Sequence, residues 1–61
     1  MRTEIFRVGL DTFGDKERFR RWLIKPNFAL GGLSPESLLN TSEGLQEVLN
    51  VLHRIEYGNL A

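Results

Sequence analysis

His53 is the chain's one histidine and there is no cysteine, so the residues that most often bind a metal or attack a carbonyl are nearly absent. A protein zinc site needs three or four such ligands, and a nucleophile needs an adjacent base. His53 has neither partner, and it reads as a solvated or half-buried helix residue beside an apolar stripe. Glu43 and Glu47 stand at i, i+4, where a solvated helix face accounts for them better than a general acid and base. Gly31-Gly32 ahead of Ser34-Pro35 could offer backbone N–H groups to an anion. The longer spacing of a phosphate loop is missing, so a tight turn with positive φ, or a close backbone approach, is the expected role. Lys16, Arg18, Arg20, Arg21 and Lys25 raise nucleic acid as a partner. On a helix they spread around most of the non-apolar circumference, and the net charge of zero gives no global attraction to phosphate. No enzyme, no metal and no cofactor are expected.

These residues have to be carried by short helices. From about Thr3 to Phe13, the residues Phe6, Gly9, Leu10 and Phe13 recur at i, i+3, i+4 and i+7, with Glu4, Arg7 and Asp11 on the other face. A strand is the weaker alternative there, since Phe6, Val8 and Leu10 also alternate. Gly14-Asp15 stops that helix and caps a second one running to about Lys25, where Pro26 disfavours helical geometry. Ser34 is expected to cap a short third helix with Pro35 at its first position and Leu38 and Leu39 as anchors. Asn40-Thr41-Ser42 then breaks the chain before a fourth helix. There Leu45, Val48, Leu49, Leu52 and Ile55 form one stripe, and Gly58 is placed to stop it. The fold class is all-α, a compact bundle of about four short helices. Trp22, Phe19 and Phe28 are expected to form a small aromatic core. Leu33, Val51 and Leu60 lie off the best stripes and read as candidate docking residues.

Sixty-one residues bound a single domain, 1–61. A chain this short buries only about 60% of its unfolded surface, and without a disulfide or structural metal it is expected to lean on a partner. Residues 1–25 carry seven bases and four acids, a net +3, while residues 26–61 carry one base and four acids, a net −3. Such a separation orients a partner more than it holds one. The N-terminus lacks the apolar stretch of a signal peptide, and no run approaches a membrane span. A soluble, cytoplasmic protein with no membrane partner is expected.

The stretch from Trp22 to Leu39 is the most heavily punctuated part of the chain. Trp22-Leu23 is followed by Pro26-Asn27, then Leu30-Gly31-Gly32, Ser34-Pro35 and Leu38-Leu39. Together with Phe13-Gly14-Asp15 before it and Gly44, Val48, Leu52, Ile55-Glu56 and Gly58 after it, the order and spacing resemble the C-terminal toxin-binding domain of the MbcA/ParS/Xre antitoxins. In that domain Trp22, Pro26, Asn27, Leu30, Gly31, Gly32, Ser34 and Pro35 would be the structural signature turn. The resemblance implies the antidote half of a bacterial toxin–antitoxin module. Its partner would be a RES-domain toxin, an ADP-ribosyltransferase-like protein that consumes NAD⁺ or modifies a target with it. Inhibition would come from the C-terminal end obstructing the toxin's NAD⁺ pocket, so Arg54, Glu56, Tyr57, Gly58, Asn59, Leu60 and Ala61 would be the toxin-binding residues. Self-association is also implied. The N-terminal helix–turn–helix usual in the family has no counterpart in the sequence, so nucleic acid binding by this chain alone is not expected. The rival readings are a small helical dimerisation or adaptor module and a truncated DNA-binding regulator. Against the regulator, Pro35 to Asn40 carries no Arg, Lys or Gln to read base edges.

Overall fold

Ile5, Val8, Gly9 and Thr12 share one face of the first helix, and that face decides how the chain packs. In the computed structural model, which describes residues 2–58 and the side chains of 3–58, α1 runs Arg2–Phe13, α2 Lys16–Ile24 and α3 Ser42–Gly58. Two 3-10 turns, Phe28–Leu30 and Pro35–Leu38, connect α2 to α3. The all-α class holds among the described residues, with three α-helices and two 3-10 turns in place of four helices. The only extended pairing described is one antiparallel bridge between Asn27 and Leu33. The expected third helix is the 3-10 turn at Pro35–Leu38, too short for a full α-helical ladder.

Caps set the boundaries. Asp15 Oδ1 accepts the Glu17 N–H at 3.1 Å to start α2, and Gly14 turns into it at φ 70°. Lys25 leaves helical geometry at φ −93°, ψ 145°, as the following Pro26 requires. Thr41 Oγ1 accepts the Gly44 N–H at 2.9 Å and caps α3. Ser34 departs from expectation: its side chain makes no capping bond. Instead its carbonyl accepts both the backbone N–H and the hydroxyl of Ser37, at 3.1 and 2.7 Å. Gly58 is the last residue of α3, not a left-handed stop beyond it.

The core is built of Ile5, Phe19, Leu23, Leu30, Leu39, Leu45, Val48, Val51 and Leu52, with α3 packed against α1 and both 3-10 turns. Val51 is therefore a core residue, because the buried stripe of α3 is wide enough to take Gly44, Val48 and Val51 beside Leu45 and Leu52. On α1 the buried stripe is rotated by one residue from the expected one. Ile5 is fully buried, while Phe6 and Leu10 stay largely exposed along its edge.

Two glycines are steric necessities. A Cβ on Gly9 would fall within the Phe19 ring, and one on Gly44 would overlap the Leu38 carbonyl. The aromatic cluster is Phe19 with Phe6, Phe13 and Trp22, at centroid distances of 5.7, 5.9 and 6.2 Å. Phe28 is not part of it and is 100% exposed. The three residues of a 3-10 turn point roughly 120° apart, and Leu30 takes the inward direction.

Candidate protein-docking site

The segment between α2 and the second 3-10 turn is closed on itself by its own backbone. Asn27 is the centre of the closure: its N–H donates to the Leu33 carbonyl at 3.0 Å, and its carbonyl accepts from Leu30 at 3.0 Å and Gly32 at 2.9 Å. Its side-chain Oδ1 accepts the Ala29 N–H at 2.9 Å. Gly31 and Gly32 reverse the chain in the left-handed region, at φ 69° and 85°. Open space surrounds the Cβ position at both, so backbone conformation and not close approach requires glycine there. Their N–H groups are spent inside the turn, on the Phe28 and Asn27 carbonyls, and are not available to an anion. Leu30 and Pro35 are buried, so the turn is anchored from below. Phe28, Ala29 and Leu33 face outward.

Beside this turn runs one face of α3. Ala29 and Leu30 line a shallow polar depression of about 270 Å³ together with Glu47, Asn50, Val51 and Arg54. Positions 47, 50, 51 and 54 follow helical spacing, and the same face continues to Tyr57 and Gly58. Gln46 donates to Asn50 Oδ1 at 3.1 Å on its flank. Thus the turn residues, read in the sequence as structural, adjoin Arg54, read as binding. Tyr57 is 61% exposed, and its ring lies 6.2 Å from that of His53, which is exposed as expected. Glu56 faces elsewhere: it is half-buried against α1, 3.3 Å from the Thr12 hydroxyl. That hydroxyl has one proton and a shorter contact, 2.8 Å to the Val8 carbonyl, so the tie to Glu56 is the weaker of the two. Asn59, Leu60 and Ala61 lie outside the described residues.

Phe28, expected in the aromatic core, is the turn residue that sequence reasoning misplaced. The sequence carried no clear signal for it, since which of Phe28, Ala29 and Leu30 turns inward depends on how the turn packs against α3. Among the described residues, no group of three or more His, Cys, Asp or Glu is placed to hold a metal, and no helix is long and apolar enough to cross a membrane.

The fold and site thus define a small helical domain with an exposed aromatic, Phe28, on a hydrogen-bonded turn beside a helix face of mixed charge. The family follows from comparison. Residues 9–58 match the antitoxin Xre/MbcA/ParS C-terminal toxin-binding domain, and the chain belongs to that family. It is similar to a protein named antitoxin Xre from Photorhabdus laumondii, 42% identical over 45 residues that cover 74% of this chain and 30% of the relative. It is also similar to an antitoxin Xre from Yersinia enterocolitica, 40% identical over 52 residues covering 84% of this chain and 35% of the relative. The chain thus spans about a third of the length of the curated relatives it matches. No solved structure matches it significantly.

Proposed function

We propose that the chain acts as an antitoxin, binding a toxin through the Asn27–Leu33 turn and the adjoining face of α3. The observation that carries this reading is Phe28: a phenyl ring fully exposed on a turn locked by Asn27 and anchored by Leu30. A rigid aromatic loses little entropy on docking and fills a partner's pocket, as interface hot spots do. Arg54 and Glu47 then serve as rim charges, whose effect falls on association rate and orientation.

The partner is a RES-domain toxin, and inhibition is by occlusion. α3 ends at Gly58, and the segment that follows it in the sequence, Asn59–Ala61, enters the NAD⁺ pocket. The mechanism is stoichiometric and requires affinity, with no chemical step on the antitoxin. Support comes from family membership, from the antitoxin names of both relatives, and from the exposed Tyr57 at the end of α3.

The test is NAD⁺ loss catalysed by a RES-type toxin encoded beside this gene, titrated with the purified chain. Inhibition saturating at a fixed molar ratio is expected. Folded chain that leaves NAD⁺ turnover untouched at every ratio would overturn the reading, and an adaptor role would replace it.

A further inference from the structure

Arg54 is the only base in residues 26–61, a stretch that also holds Glu36, Glu43, Glu47 and Glu56. It is exposed on α3, in the depression of about 270 Å³ that Ala29 and Leu30 line from the side of the turn. None of the side-chain hydrogen bonds among the described residues uses its guanidinium. The acid in the same depression, Glu47, stands seven positions earlier on α3, about 10 Å away along the helix axis. The two charges therefore mark opposite ends of the depression. Asn50 stands between them, one turn before Arg54 on the same face. Its Oδ1 already accepts from Gln46 Nε2 at 3.1 Å, which leaves its two Nδ2 protons unspent.

Donors thus gather at the Arg54 end. The guanidinium is a planar fork of N–H groups, and the Asn50 amide adds its own beside it. A carboxylate answers such an array, because its two oxygens take the fork in parallel. A partner's cation would be repelled there by Arg54 itself, and an apolar side chain would leave the donors dry and unpaired. Phe28 lies next to Ala29, so the exposed ring and the socket are neighbours in one surface. A ring docked alone leaves the domain free to turn about it. A second fixed point beside it removes that freedom.

We propose that the depression is a socket for one acidic side chain of the toxin, held by a two-pronged hydrogen bond from Arg54 with Asn50 Nδ2 as a further donor. The proposal rests on the toxin-binding reading above and adds to it the chemistry of one partner residue. Insertion is then reciprocal: Phe28 enters the toxin, and a toxin Asp or Glu enters the antitoxin. Arg54 does more than steer, since it anchors the complex once formed.

Binding kinetics of the full chain on the RES-type toxin encoded beside this gene test this, with circular dichroism confirming that each variant is folded. Arg54→Lys keeps the charge, and with it long-range steering, but loses the fork. It should leave the association rate within about twofold and speed dissociation about tenfold or more. Asn50→Asp puts a carboxylate into the socket and should weaken binding by about tenfold or more. Glu47→Gln, at the far end, should leave the dissociation rate unchanged. A double-mutant cycle then finds the partner residue. With each surface Asp or Glu of the toxin changed in turn to its amide, one change should speed dissociation as much as Arg54→Lys, and the two together should add no further loss. Phe28→Ala is the reference. If it weakens binding while Arg54→Lys dissociates like wild type, the socket is overturned and the docking reading stands. A cycle with no coupled toxin acid, or a Glu47→Gln loss matching that of Arg54→Lys, would also overturn the socket. If the folded chain does not bind the toxin, or if neither Phe28→Ala nor Arg54→Lys alters binding, both the socket and the docking surface fall.

Discussion

Phe28 and Gly44 show how differently single residues act in this chain. Phe28 touches nothing that its removal would open, so Phe28→Ala should change folding stability by no more than about 0.5 kcal/mol. If the turn docks a toxin, the same change should weaken inhibition by about 2 kcal/mol or more; parallel thermal unfolding and toxin titration separate the two effects. Gly44→Ala is the opposite case. Helix propensity alone favours alanine by about 1 kcal/mol, but the new Cβ meets the Leu38 carbonyl, a backbone atom that cannot rotate away. The clash should win, with a net loss of about 1–3 kcal/mol measured by chemical denaturation. Gly9→Ala belongs with it, since the ring it would strike is Phe19, only 1% exposed and without room to retreat.

At the scale of elements, the signature turn stands on local bonds and local conformation. Gly31→Ala forces a side chain into the left-handed region at φ 69° and should cost about 1–2 kcal/mol. Any further loss of toxin inhibition would report how far Phe28 had shifted from its docking position. Removal of Asn59–Ala61 tests the other end of the proposed surface. Inhibition should fall far more than the unfolding midpoint, because the core formed by the described residues lies upstream of the cut. Equal losses in both would count against the occlusion model.

The elements also differ in how legible they were. The ends of α2 and the start of α3 were readable because Asp15, Pro26 and Thr41 act through bonds or steric limits within a few residues. The Gly31-Gly32 reversal was readable for the same reason. The rotation of α1 was not: Phe6 and Ile5 are both apolar, and only contact with α2 and α3 decides which one is buried. Val51 was misread because a stripe's width depends on how many neighbours cover it, and α3 is covered by α1 and both turns. Of the candidate site, Arg54 and Tyr57 could be anticipated as exposed residues on the last helix. Their adjacency to the Ala29–Leu30 backbone could not, since it depends on the turn folding back onto α3.

For the molecule as a whole, the charge asymmetry seen in the sequence acquires a location. The basic residues of 16–25 lie on α2 and at its end, whereas Glu43 and Glu47 lie on α3. The body measures only 28 × 22 × 19 Å. With no cysteine to form a disulfide, its stability rests on one core, to which the described residues contribute nine buried apolar side chains. Thermal unfolding should therefore depend on protein concentration if the chains pair, and be independent of it if they do not; a scan at several concentrations decides.

The packing of Trp22 has a practical side. It is the chain's single tryptophan, partly buried with its ring 5.6 Å from Phe13 and 6.2 Å from Phe19. The protein therefore carries one intrinsic fluorophore, seated where α1 and α2 meet and several residues removed from Phe28. Its emission reads the integrity of that junction with no label attached, and a variant that loses its partner while keeping this spectrum has lost recognition and not its shape.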